Sequence, residues 1–184
     1  MKKRNAGLLK VLFFCCAMFA YVGCVKDVDF NQANDIVLSP DIQSNLVLYK
    51  VEESDFVDPV TKELKTVIRD TVRLEFLDDD YIQNDLNSVE FYFRNINTFP
   101  QAFVSRVHFL SASGRKQFSI IYPISPGGSD NPVSTERIEV MGADRIEQVK
   151  NSIIMVVELE VQTNQEDFTG DLEFASKGLF KFEF

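Results

Sequence analysis

Apolar side chains recur at every second residue along most of this chain, and that period leaves room for little besides β-sheet. Between Ser152 and Thr163, Ile153, Met155, Val157, Leu159 and Val161 share one parity. Ser88–Arg94 places Val89, Phe91 and Phe93 together, and Phe103–Leu110 sets Phe103, Val107 and Phe109 against Arg106 and His108. Successive side chains of a strand point to opposite faces, so each run describes a strand with one dry and one wet face. The first half of Ser152–Thr163 is apolar on both parities, which predicts a central strand covered on both sides.

Further runs complete the pattern. Asn45–Glu52 and Thr66–Leu77 flank a loop containing Asp58-Pro59, a natural turn pair. In the second of these, Ile68, Val72, Leu74 and Phe76 alternate with Arg69, Thr71, Arg73 and Glu75. A turn centred on Gly114 joins Phe103–Leu110 to Gln117–Ile124 as a hairpin. Leu172, Phe174, Phe180, Phe182 and Phe184 share a parity across Gly178, as a hairpin or as one long strand bulged there. Two short helices are expected, at Asp79–Leu86 and at Asp144–Asn151, where Asp144 and Glu147 have the spacing of a capping box. The fold class is all-β, an immunoglobulin-like or jelly-roll sandwich over residues 36–184.

The first residues are of another kind. Lys2, Lys3, Arg4 and Lys10 precede an apolar run from Val11 to Val22, which is the layout of a secretory signal. A membrane-spanning helix needs about 20 apolar residues, so the run is short for a permanent anchor. It ends in Tyr21-Val22-Gly23-Cys24, which resembles the bacterial lipobox, where a Cys after a small residue is acylated and becomes the new N-terminus. Lys26 and Asp27 follow, similar to the export tag of Bacteroidota surface lipoproteins, with Val28 interrupting the acidic pair. The resemblance implies a signal peptide over 1–23, a lipidated Cys24 with a polar tether over 24–35, and an outer-membrane location exposed at the surface.

Charge and cysteine count narrow the partners. The 184 residues hold 19 basic and 28 acidic side chains, a formal charge of −9. Removing residues 1–23 takes four bases and no acid, leaving 15 against 28, or −13. Such a chain offers no electrostatic grip on nucleic acid, whose binding depends on Lys and Arg neutralising phosphates. It would also be repelled by anionic lipid, so acyl chains on Cys24, not a basic patch, must hold it at a bilayer. Of three Cys, Cys15 and Cys16 lie within the apolar run, so the processed chain can form no internal disulfide and must rest on its core.

Catalytic groupings are scarce. His108 is the only histidine, and no G-x-S-x-G elbow accompanies it. Glu158 and Glu160 share one strand face, whereas a glycosidase needs acids on opposite sides of a bond. Asp78, Asp79, Asp80 and Asp85 supply hard oxygen ligands in one segment and form the candidate calcium site, without the glycine or terminal Glu of an EF-hand loop. The tyrosines are the candidate sugar platform. Phe99 and Pro100 lie in a loop, as do Gly127 and Gly128 within Ser125–Pro132, and these two loops form the candidate protein-binding site. The expected function is that of a lipid-anchored, non-catalytic binding or accessory module, without cofactor, partnered by an outer-membrane protein. A calcium- or carbohydrate-binding module is the first alternative, and a carboxylate-dependent hydrolase the second.

Overall fold

The computed structural model describes residues 39–163 and 167–184, so Cys24, the signal and the tether lie outside the described residues. Among the described residues eight strands follow one another: β1 (Asp41–Glu52), β2 (Val67–Arg73), β3 (Leu86–Asn97), β4 (Ala102–Leu110), β5 (Lys116–Ile124), β6 (Val133–Met141), β7 (Ile154–Gln162) and β8 (Asp171–Phe182). They form two antiparallel four-stranded sheets, ordered β1-β8-β3-β6 and β2-β7-β4-β5. Only β4 and β5 form a sequential hairpin; every other connection passes from one sheet to the other. That order is the jelly roll of two Greek keys, which decides between the two sandwich types expected from the sequence.

The core is the space between the sheets, filled by alternate residues of each strand. Phe91 and Phe93 of β3, Phe174 and Phe180 of β8, and Phe103 and Phe109 of β4 are 1% exposed or less. Phe109 and Phe118 stack at 4.4 Å, and Phe91 lies 4.8 Å from Phe109 across the sandwich. A polar bridge crosses this interior, from Asn95 Nδ2 of β3 to the Tyr122 hydroxyl of β5 at 2.9 Å.

Several local expectations are revised. Thr66–Leu77 is not one strand: β2 stops at Arg73, and Glu75–Asp78 winds into a 3-10 turn that buries Leu77. Helix α1 (Asp80–Asp85) then forms where expected. Helix α2 (Ile146–Lys150) buries Ile146 and Val149, but Arg145 occupies its N-cap, so the Asp144–Glu147 capping box does not form. β8 is a single strand whose pairing runs straight through Gly178; the irregularity lies in its neighbour, between Asn45 and Val47. Gly178 has another reason to be glycine, since a Cβ there would meet the Phe180 ring at 2.6 Å.

β7 is an interior strand, as its apolar run predicts. Among the described residues no second layer covers its outer face, however. Ile154 and Val156 are half-buried there, and Glu158 is shielded by arginines on the two flanking strands.

Candidate binding cleft

β1 and β2 are the edge strands on the same side of the sandwich, one from each sheet, and they do not pair with each other. Between them opens a cleft of about 490 Å³, a volume in the range of small-ligand sites. Ile68, Val157 and Leu159 form its apolar floor, because the inward parity of β2 and β7 continues to the sheet edge. Tyr49 and Val51 of β1 form the facing wall. The Tyr49 ring stacks on Phe174 at 4.9 Å, which fixes its plane. Burial, with Tyr122 and Asp70 nearby, pushes the Tyr49 phenol far up, so it stays a neutral hydrogen-bond donor at any physiological pH.

The rim is charged, and its charged groups have partners of their own beside the cleft. Lys50 reaches Asp171 at 3.1 Å, Lys65 reaches Asp58 at 3.8 Å, and Arg69 donates to Glu158 at 2.6 Å. Asp55 accepts the Glu52 N–H at 2.9 Å, and Asp70 accepts the Thr71 N–H at 2.8 Å. The cleft therefore offers shape and apolar surface first, with polar groups held at its border.

The loops expected to bind a partner are structural. Phe99 is fully buried. Its ring stacks on Phe168 at 4.7 Å and meets Phe103 at 5.4 Å and Phe56 at 6.0 Å, closing one end of the core. A large ring on a short loop gains more by turning inward than by meeting water. Pro100 is only half-exposed beside it. Gly127 donates its N–H to the Phe99 carbonyl at 2.8 Å, and a Cβ on it would fall 1.9 Å from the Asn97 carbonyl oxygen. Buried Asn97 ties both loops together, donating from Nδ2 to the carbonyls of Gln101 and Ser125, each at 2.9 Å. Gly128 is the exception, with open space around its Cα.

The aspartates expected to hold calcium do not converge. Among the described residues, no three His, Cys, Asp or Glu side chains are placed to share a metal ion. Asp78 ends the 3-10 turn and Asp79 caps α1, its carbonyl accepting from Ile82 and Gln83 at 2.9 and 3.0 Å. Burial and the Asp79 carboxylate together push the Tyr81 phenol up. Asp85 closes the same helix, its carbonyl accepting from Glu183 at 3.0 Å. The run of acids serves the turn-to-helix junction, where negative charge suits a helix N-terminus.

Glu158 and Glu160 are bound in a ladder on the outer face of the second sheet. Arg69, Glu158 and Arg106 stand in register across β2, β7 and β4. Arg106 lies 3.2 Å from Glu158 and also pairs with Glu160. His108, two residues along β4 on the same face, meets the Ser119 hydroxyl at 2.7 Å, and burial lowers its pKa. Burial alone would raise the Glu158 pKa, but the Arg69 hydrogen bond and the charges of Arg69 and Arg106 outweigh it and hold the carboxyl below its ordinary 4.5. Glu139, between Arg137 at 2.7 Å and Arg145 at 3.2 Å, is lowered in the same way.

A pH dependence follows. A lowered folded-state pKa gives stability that is fully present above the ordinary value and is lost as pH falls through the folded value. Melting temperature should therefore hold above about pH 5 and fall below 4.5. In Glu158→Gln the acid limb should be shallower. An identical limb in that variant would remove Glu158 from the account.

No family model matches the chain, and neither does any curated protein. Among solved structures it is similar to a protein of Parabacteroides distasonis ATCC 8503 assigned as secreted, at 17% identity and TM-score 0.45, over 62% of this chain and 37% of that one. It is also similar to the infectious bursal disease virus VP2 subviral particle, at 8% identity and TM-score 0.39, over 81% of this chain and 33% of that one. A third likeness is the enzymatically active domain of bacteriophage CBA120 tailspike protein 4, at 12% identity and TM-score 0.38, over 77% of this chain and 19% of that one. The chain thus spans well under half the length of each. No helix among the described residues is long and apolar enough to cross a membrane.

Proposed function

We propose that this chain is a lipid-anchored, non-catalytic binding module that serves an outer-membrane protein assembly, with the cleft between β1 and β2 as its ligand site. The cleft is the observation that carries the reading. Its apolar floor of Ile68, Val157 and Leu159 would bury ligand surface, and its rim charges are already engaged by carboxylates and backbone N–H groups beside the cleft. Anchoring rests on the lipobox-like Tyr21–Cys24 and places acyl chains on Cys24. The test of the cleft is Tyr49→Ala, checked first for unchanged melting, followed by recovery of partners in mild detergent. A fall of about tenfold, equivalent to ~1.4 kcal/mol, is expected. Unchanged recovery removes the cleft from the proposal.

A sugar in the same cleft is the second reading, favoured by the ring of Tyr49 on its wall beside polar rim groups. Binding on a glycan panel that is lost in Tyr49→Ala would support it over a protein ligand.

Anchoring has its own experiment. Cys24→Ala should leave the protein uncleaved or released from the membrane, and labelled palmitate should no longer enter it. Normal retention and unchanged size in that variant would overturn the anchor.

A further inference from the structure

We infer that the free edge of β1 accepts an extended strand of a partner protein, added to the first sheet beside β1. The inference rests on the binding-module reading and names the chemistry of the ligand.

Among the described residues, β1 is hydrogen-bonded to β8 on one side only. In an antiparallel edge strand every second residue turns its N–H and C=O away from the neighbour, and the group that matches such a row is another extended backbone. Two hollows lie along this edge. The first, described above, touches Tyr49, Lys50 and Val51; the second, of about 270 Å³, touches Ile42, Gln43 and Ser44. Consecutive strand residues point to opposite faces, so a hollow that touches three in a row runs past the backbone edge itself. The second hollow is walled by Phe76, Tyr81, Phe180 and Phe182, with Tyr81 and Ile42 substantially exposed.

The spacing of the hollows favours an extended ligand over a compact one. Ile42 and Tyr49 lie opposite Phe180 and Phe174 of β8, which covers the same stretch with six residue steps because β1 is bulged between Asn45 and Val47. Six steps of a strand span roughly 20 Å, and an even number returns side chains to the same face. An extended segment matching β8's count would therefore drop apolar side chains, six positions apart, into both hollows while its backbone pairs with β1. A small molecule could fill only one.

The opposite side of the sandwich is closed to this mode. Edge strand β5 contains Pro123, which has no N–H to offer. Edge strand β6 points Arg137 and Glu139 inward, joined to Arg145, and Thr135 Oγ1 accepts the Ser125 N–H at 3.2 Å. Inward charge is a recognised way of blocking strand addition.

The experiment uses the processed chain and a synthetic peptide of about ten alternating valine and threonine residues with terminal lysines, a generic strand-forming probe. Residue-resolved amide hydrogen exchange is followed as the peptide is added to millimolar concentration. Alternate amides of β1 should exchange about tenfold more slowly while those of β6 stay unchanged. Ile42→Asp should weaken the effect by about tenfold, and Ile138→Asp, on exposed β6 surface, should not. Unchanged β1 exchange, protection without alternation, or protection on β6 would overturn strand addition. If Tyr49→Ala abolishes partner recovery while the peptide leaves β1 exchange unaltered, the cleft keeps its role and only strand addition falls.

Discussion

Phe99→Ala is expected to lower the unfolding free energy by roughly 3–5 kcal/mol, the usual cost of deleting a fully buried ring. The ring has no exposed surface, and three other phenylalanines surround it, from the turn after β1, from β4 and from the β7–β8 connection. Its removal leaves a void at the end of the core where three separate segments meet, and none can close it without moving its own ring. The backbone restraints survive the change, since Phe99 N–H donates to Asn97 Oδ1 at 2.9 Å and its carbonyl accepts from Gly127. The loss should therefore be one of packing, seen as a lower denaturation midpoint with an unchanged slope. A variant that melts normally but fails to recover partners would return Phe99 to the role of surface anchor.

Leu159→Ala should cost roughly 2–5 kcal/mol, and its second effect is more informative. Leu159 is 1% exposed, in register between Ile68 of β2 and Ser105 of β4, and its inward face floors the cleft. The void opens toward the cleft, so the binding volume should grow as stability falls. Denaturation and ligand titration on the same variant would read both. A cost below 1 kcal/mol would mean that the second sheet is not packed around β7 as described.

What the sequence made legible is tied to the period-2 signal. β3, β4 and β7 were readable because each carries apolar residues on one parity, which is the inward one. β5 was readable as the partner of β4 across the Gly114 turn, and the extra apolar residues at the start of β7 pointed to a covering layer that the described residues do not supply. β6 escaped because Ser134, Glu136, Ile138 and Val140 alternate with Thr135, Arg137 and Glu139, so polar residues occupy the inward face of an edge strand. Thr66–Leu77 looks continuous in sequence because Leu74 and Phe76 keep the parity of Ile68. The chain leaves the strand at Leu74, whose ψ of 64° starts the 3-10 turn, and no pattern of apolar residues records that. Phe99 and Gly127 looked like available loop groups because burial by rings from distant segments is a tertiary fact. The cleft was invisible for the same reason: Tyr49, Ile68 and Leu159 come from three strands that meet only once both sheets are built.

The place of β8 sets a constraint of timing. β8 lies between β1 and β3, so β1 cannot pair with its native neighbour, nor join the β3–β6 pair, until residues 171–182 are present. Tyr49, near the start of the domain, waits for Phe174, near its end. A ribosome or a translocation channel that delivers the chain from its N-terminus releases most of the domain before that sheet can close. The β4–β5 hairpin, joined by a short turn, can form early, whereas pairings between distant segments carry the entropy cost of closing long loops and are slow. Until β8 arrives, β1 is an unpaired apolar strand with two open edges, the state in which such chains aggregate or are cut. A truncation that spares every strand but this last one would remove the middle of a sheet, and should be far more damaging than its position near the chain end suggests.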